Sequence, residues 1–260
     1  MKLKYGILTG ALCSVMASNA GAALITWQNA VNMFSGDAND ASFISTNGVL
    51  VDAANGGGTT VTVNGVLFSG ITGTQSGGQN LVSGNFSFLN HNDNGSAFGQ
   101  GGFSGGTADV GTLIQSAIWG AQGVTLTGLT SGNVYEIQIL TNDARNNRSD
   151  NFISGYGDGF NAGSPAVIAI MNNQPNATGD GPTGTGDKSG QYVIGTFTAD
   201  ATTQTFESFG TNSGVVGNLT LNDSRAQFNG IQLRNLSIPE PSSILLTGLA
   251  ALGFIGRRRR

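Results

Sequence analysis

The chain has 260 residues, 42 of them glycine, and a formal net charge of −4. Six of its 11 Lys and Arg residues sit at the extreme ends, as Lys2, Lys4 and Arg257 to Arg260. The stretch from Leu24 to Ser237 therefore carries five basic residues against 14 acids, a formal net charge of −9. That excludes a surface built to face nucleic-acid phosphates, and a single cysteine excludes an internal disulfide.

The N-terminus reads as a secretory signal. Lys2 and Lys4 form a short positive region, residues 5–17 are mostly apolar, and Ala20 and Ala22 bracket a small-residue cleavage site. Residues 1–23 are thus expected to leave on export, and the apolar run predicts a signal helix. The lone Cys13 follows Leu12, which is too large to precede a lipidated cysteine, so Cys13 is expected to depart with the signal.

From residue 24 the composition favours strands. Glycine at more than twice its usual share of about 7 %, with abundant Asn, Ser and Thr, disfavours helix and supplies turns. The first strand is expected at Leu24–Trp27 and a second at Gly48–Ala53, followed by a glycine turn at 56–58. Residues 60–68 predict a hairpin with Asn64-Gly65 as its two-residue turn. Residues 75–106 read as a long polar loop with one short strand around Phe86–Leu89. For Thr112–Trp119 a short helix is favoured over a strand. Strands follow at Gly123–Leu129 and Val134–Thr141, the second with Tyr135, Ile137 and Ile139 on one face and Glu136 and Gln138 on the other. Asn142–Gly163 reads as a polar loop, Ala166–Met171 as a strand, and Asn172–Ser189 as a loop. Four strands close the domain at Gln191–Thr198, Gln204–Phe209, Val215–Leu221 and Gln227–Leu236, the last interrupted by an Asn229-Gly230 bulge. Many strands without intervening helices predict an all-β fold, an antiparallel β-sandwich or jelly roll over residues 24–237.

The last 23 residues have three parts. Pro239-Glu240-Pro241 holds the chain extended. Ile244 to Ile255 is a run of twelve residues without a charge, about 18 Å long as a helix, short against a hydrocarbon core of about 30 Å. Arg257, Arg258, Arg259 and Arg260 then resist translocation and act as a membrane stop. A short apolar helix inserted in the membrane, with the body outside, fits this order. A permanent anchor fits the same pattern.

Ile-Pro-Glu-Pro-Ser-Ser, the Leu/Gly/Ala-rich run and the terminal arginines resemble the PEP-CTERM sorting signal of Gram-negative bacteria that make exopolysaccharide. The resemblance covers residues 238–260. It implies that exosortase, a membrane-embedded cysteine peptidase, reads Pro239, Glu240 and Pro241 and processes the protein after the secretion machinery has exported it. A transient tether to the inner membrane would precede release to the cell surface or extracellular matrix. Residues 124–145 and the Asn-Gly-Ile-Gln-Leu-Arg of 229–234 resemble exported jelly-roll domains of galactose-binding-like type, which implies a fold without fixing a ligand.

Candidate chemistry in the body is sparse. His91, the only histidine, lies in a turn-like run of Asn and Asp and is expected to be exposed; alone it cannot complete a zinc site or, without partners, a hydrolytic triad. Asp143 and Arg145 follow the best strand and could bind a sugar hydroxyl or pair with each other. Asp143, Asp150 and Asp158 with nearby Asn could hold a structural calcium, although Asx turns favour the same residues. No metal ligand set is assigned and no cofactor is implied. Trp27, Trp119, Tyr156 and Tyr192 could stack on sugars, but core packing is the default for such residues. The reading is a surface-sorted, non-catalytic body that binds extracellular polysaccharide or builds matrix. The alternatives are a secreted glycan hydrolase and a simply anchored protein.

Overall fold

The computed structural model of the chain describes residues 23–33, 41–71, 78–97, 108–142, 153–157, 168–172, 190–211 and 226–237. In chain order the strands are Thr26–Trp27 (β1), Val31–Asn32 (β2), Val49–Asn55 (β3), Val61–Val63 (β4), Val66–Gly70 (β5), Gln79–Ser83 (β6), Phe86–His91 (β7) and Asp93–Ala97 (β8). One short helix, Ala108–Ile114 (α1), precedes Ser116–Trp119 (β9), Gly123–Leu126 (β10), Val134–Thr141 (β11), Ile153–Gly157 (β12) and Ile168–Asn172 (β13). Gln191–Thr198 (β14), Gln204–Thr211 (β15), Gln227–Phe228 (β16) and Gly230–Asn235 (β17) complete the body.

The strands form two large sheets and a small third one. The first runs β1-β14-β11-β17-β3-β5-β4, with β2 also on β14; the second runs β13-β12-β15-β10-β7-β6; the third is β16-β9-β8. The pairings are antiparallel apart from β3 with β5, which are parallel. The expected all-β, antiparallel architecture is what the structure has. The expected signal helix (residues 1–23) and apolar C-terminal helix, and the Val215–Leu221 strand, lie outside the described residues.

The core fills the space between the two large sheets. Tyr135, Ile137, Ile139, Val193, Ile231 and Leu233 project from the first sheet and Leu81, Phe86, Phe88, Val124, Leu126 and Phe206 from the second, all buried in one cluster. Alternation along each strand accounts for this, since every second side chain points into the same layer. Aromatic rings knit the sheets together: Trp27 of β1 meets Phe206 of β15 edge-on with centroids 5.6 Å apart. Tyr156 of β12 meets Phe228 of β16 at 5.1 Å. The expectation that Trp27 and Tyr156 pack inside holds for both, each being buried.

Several boundaries differ from expectation for identifiable reasons. Residues 75–106 are not a loop with one strand, because β6, β7 and β8 lie there. Their polar residues are tied to the rest of the body. Asp52 of β3 accepts a hydrogen bond from Asn85 N at 2.6 Å and so anchors the β6–β7 turn. The 112–119 stretch is both alternatives in succession, the end of α1 followed by β9. The Asn64-Gly65 hairpin forms as expected, with both residues at positive φ, 49° and 74°, the conformation a type I′ turn requires. The Asn229 interruption is more than a bulge. It moves the chain from the third sheet, where β16 pairs with β9, to the first, where β17 lies between β11 and β3.

Tyr156 carries a testable consequence. Its hydroxyl donates to Gln227 O at 2.6 Å in a fully buried setting. Desolvation by burial drives the phenol well above its ordinary value, opposed in part by Ser154. A folded state that keeps its proton while the unfolded state loses it is stable below the unfolded value of about 10 and loses stability as pH rises. Urea unfolding should therefore show stability falling above about pH 10 with a contribution near 1.4 kcal/mol per pH unit from this group. Tyr156→Phe should lose about 1 kcal/mol at neutral pH and lack that part of the slope. An identical alkaline slope in both proteins would refute the assignment.

Candidate functional site

Three features of the body bear on where a site could lie. The first is the outer face of the first sheet. Glu136 and Gln138 on β11 stand directly opposite Arg234 and Gln232 on β17. All four point away from the sandwich core, on the face the sequence reading gave to Glu136 and Gln138. Yet Glu136 is 4 % exposed, Gln138 and Gln232 are fully buried, and Arg234 is 6 % exposed. The cover is a strap, residues 41–48, laid across the sheet. Phe43 and Ile44 are buried there with Val61, Val63, Val66, Phe68, Val110, Leu113 and Ile114 of the hairpin and α1, giving a second apolar cluster outside the sheet.

The polar side chains hold the strap by its backbone. Gln138 Nε2 donates to Phe43 O at 2.6 Å, and Ser45 N donates to Gln138 Oε1 at 3.1 Å. Gln232 Nε2 reaches Ser45 O at 3.1 Å and Gln138 Oε1 at 2.6 Å. Arg234 donates from Nε to Asn47 O at 2.5 Å and from one terminal nitrogen to Thr46 O and Gly48 O, both at 3.0 Å. Glu136 accepts from the Ser45 hydroxyl and from Asn47 Nδ2. Arg234 is the only Lys or Arg among the described residues. The arrangement is a clamp, with its polar capacity spent inside the protein.

The second feature lies where β11 ends. Asn229 accepts from Asn142 N at 2.7 Å and from Gln227 Nε2 at 2.9 Å, and donates to Ile114 O at 2.7 Å and Ser116 O at 3.1 Å. Asn142 donates to Ile114 O as well, so both asparagines take up a carbonyl at the end of α1. Gln227 Nε2 also donates to Asn142 O. Asn142 Oδ1 is buried with no hydrogen-bond partner among the described residues. It stands directly before Asp143.

The third is an open groove of about 380 Å³ on the first sheet's edge, lined by Ala23, Leu24, Thr26, Val134, Thr196, Phe197 and Thr198. Thr26 and Thr196 are cross-strand partners, as are Thr198 and Val134. Leu24 and Val134 are exposed apolar side chains. Hydroxyls beside apolar surface suit a neutral polar ligand.

The sequence-predicted residues fare unevenly. His91 was expected to be exposed and is instead fully buried. It pairs with Gln79 across β6 and β7, and its Nδ1 lies 2.7 Å from Gln79 O. The run of Asn and Asp around it continues as strand into β8, which is why a turn reading failed. Trp119 and Tyr192 are half-buried, and Tyr192 stacks on Phe43 of the strap at 6.3 Å. Asp143, Arg145, Asp150 and Asp158, the cleavage-site Ala20 and Ala22, the motif Pro239, Glu240 and Pro241, and Arg257 to Arg260 all lie outside the described residues. Among the described residues no group of three or more His, Cys, Asp or Glu side chains could hold a metal, and no helix is long and apolar enough to cross a membrane. The clamp is what sequence reasoning missed. The only signal was that polar residues of β11 and β17 alternate in step, Glu-x-Gln against Gln-x-Arg.

Removing the clamp's cation tests its weight. Arg234→Met keeps the stem's length while stranding the carbonyls of Thr46, Asn47 and Gly48. Loss of hydrogen bonds to a charged group, with Glu136 left beside an apolar side chain, should cost about 3 kcal/mol in urea unfolding. Limited proteolysis should then cut within residues 41–48. A loss under about 1 kcal/mol would show that the strap is held by packing alone.

Comparison with known proteins bears on the tail. Residues 237–260 match the model of the PEP-CTERM protein-sorting motif. No curated protein matches the chain. Among solved structures, the body is similar to Bacteroides uniformis beta-glucuronidase 2 covalently bound to cyclophellitol-6-carboxylate aziridine, at 16 % identity and a TM-score of 0.41. A calcium-binding mutant of the same enzyme gives 18 % and 0.43. In both cases the match covers 71 % of this chain. The chain spans less than a fifth of the length of those enzymes, 17 % and 18 %. Motif, apolar run and basic end thus combine in one recognised signal, and the chain is a protein that carries the PEP-CTERM sorting motif over residues 237–260.

Proposed function

We propose that the protein is exported, is processed at its C-terminal signal by an exosortase-type membrane peptidase, and displays its β-sandwich at the cell surface or in the extracellular matrix. The observation that carries this reading is the match of residues 237–260 to the sorting motif. In this reading residues 1–23 direct export, Pro239, Glu240 and Pro241 are what the peptidase reads, and Arg257 to Arg260 hold the tail's end on the cytoplasmic side. The apolar run between them tethers the protein to the inner membrane until processing.

The body acts as a non-catalytic carbohydrate-binding or matrix module. Its acidity keeps it away from nucleic acid, its one histidine is enclosed with Nδ1 against Gln79 O, and its clamp is occupied by its own backbone. The threonine-lined groove and the Asp143–Arg145 loop are the places where a neutral polysaccharide could bind. A structural calcium near Asp143, Asp150 and Asp158 stays within this reading, with no ligand set assigned.

Two measurements test the two halves of this reading. Changing Pro239, Glu240 and Pro241 to alanine should leave full-length protein in the membrane fraction, read by intact mass as retention of Arg257 to Arg260; unaltered processing would refute the motif's role. The body, residues 24–237, should retain at least one polysaccharide on a glycan array without releasing reducing ends. Turnover on that panel would replace the binding reading with a hydrolytic one.

A further inference from the structure

The end of the body sits directly beside the sorting motif, whose match begins at Ser237. β17 finishes at Asn235, and the next two residues are still fastened. Leu236 N donates to Val134 O at 2.8 Å, extending the pairing of β17 with β11. Val134 N in turn donates to the Ser237 hydroxyl at 2.7 Å. Ser237 N donates to Asn235 Oδ1 at 2.9 Å. Pro239 is only two residues further on. Fully extended chain spans at most about 3.6 Å per residue, so Pro239 lies within about 7 Å of Ser237 and Pro241 within about 14 Å.

That reach is short for a peptidase seated in a membrane. The body's two sheets lie about 10 Å apart, and the strap lies outside the first of them, with Gly48 O against Arg234, so this end is wider than the reach. The first residues of the body leave from the same end. Ala23 O accepts from Gln204 Nε2 at 2.8 Å, and Ala23 and Leu24 line the groove that Val134 also lines. Ala23 and Ser237 thus leave the sandwich at the same end. With the latch closed, folded protein must crowd the enzyme before the Pro-Glu-Pro strip can enter an active site.

We propose that Leu236 and Ser237 form a latch that withholds the sorting motif from the processing peptidase, with Ser237 a positioning residue whose hydroxyl holds the tail to Val134. This rests on the sorting reading given above. Opening the latch frees two more residues and lengthens the reach by about 7 Å. The end of a strand is where local opening is easiest, and one hydrogen bond of ordinary strength shifts such an equilibrium about five-fold. Processing is then limited by fraying of β17's end, and the body's fold sets its rate.

The test follows processing of the full chain by pulse-chase in a host with an exosortase-type peptidase. Ser237→Ala should speed processing several-fold, and Ser237→Thr, which keeps the hydroxyl, should stay near the wild-type rate. Inserting Gly-Ser-Gly-Ser between Ser237 and Ile238 adds about 14 Å of reach and should speed processing too. In that background Ser237→Ala should have no further effect, and the melting temperature of the body should be unchanged throughout. If Ser237→Ala and the insertion both leave processing at or below the wild-type rate while the triple-alanine motif variant abolishes it, the latch is wrong and the sorting reading stands. If the triple-alanine variant is processed normally, or the wild-type chain is not processed at all, both fall.

Discussion

A single buried guanidinium decides how this domain is layered. Arg234 is taken out of water at the middle of a sheet face, which is costly unless its donors are filled. They are filled by three consecutive carbonyls of the strap, at Thr46, Asn47 and Gly48, and by Gln232 Oε1. A segment with no secondary structure of its own is thereby held flat against β11 and β17. Once the strap is down, Phe43 and Ile44 have somewhere to go, and the hairpin of β4 and β5 with α1 completes a second apolar layer around them. The sandwich core and this outer layer share one sheet, whose central strands β11 and β17 are consequently buried on both faces.

That double burial marks the limit of what the sequence made legible. The alternation of Tyr135, Ile137 and Ile139 with Glu136 and Gln138 identified β11 and its inward face. It could not show that the other face is covered, because a polar residue satisfied by a distant backbone looks the same in sequence as one facing water. The contacts that matter span about ninety residues or more, as between Gln138 and Phe43. His91 failed for the related reason that Asn and Asp neighbours favour turns locally, while cross-strand pairing with Gln79 overrides them. The Asn64-Gly65 hairpin was legible because its geometry is fixed by two adjacent residues. Asn229 was legible as an interruption but not as the switch between two sheets, which depends on partners at Asn142, Ile114 and Ser116. The tail was the most legible part, since the sorting motif is a contiguous run of residues, 237–260, whose pattern does not depend on tertiary structure. The open groove was not legible, because residues 23–26, 134 and 196–198 meet only through sheet pairing.

The direction of β11 orders the rest. It starts at Val134, beside the chain's two exits, and ends at Thr141, with Asn142 and Asp143 following. Eight residues at about 3.4 Å each carry it about 27 Å along the sandwich. The body's first and last described residues, Ala23 and Ser237, therefore lie at one end, and Asn142 lies at the other. The threonine-lined groove lies at the first of these ends, beside Val134. If the tail tethers the body to a membrane as proposed, the groove would face that membrane until processing, and the end at Asn142 would face away from it. If both ends bind glycan, attachment at the far end can precede release, whereas attachment through the groove must follow it. Under that reading the order of the two events would follow from the orientation of β11 relative to the chain ends.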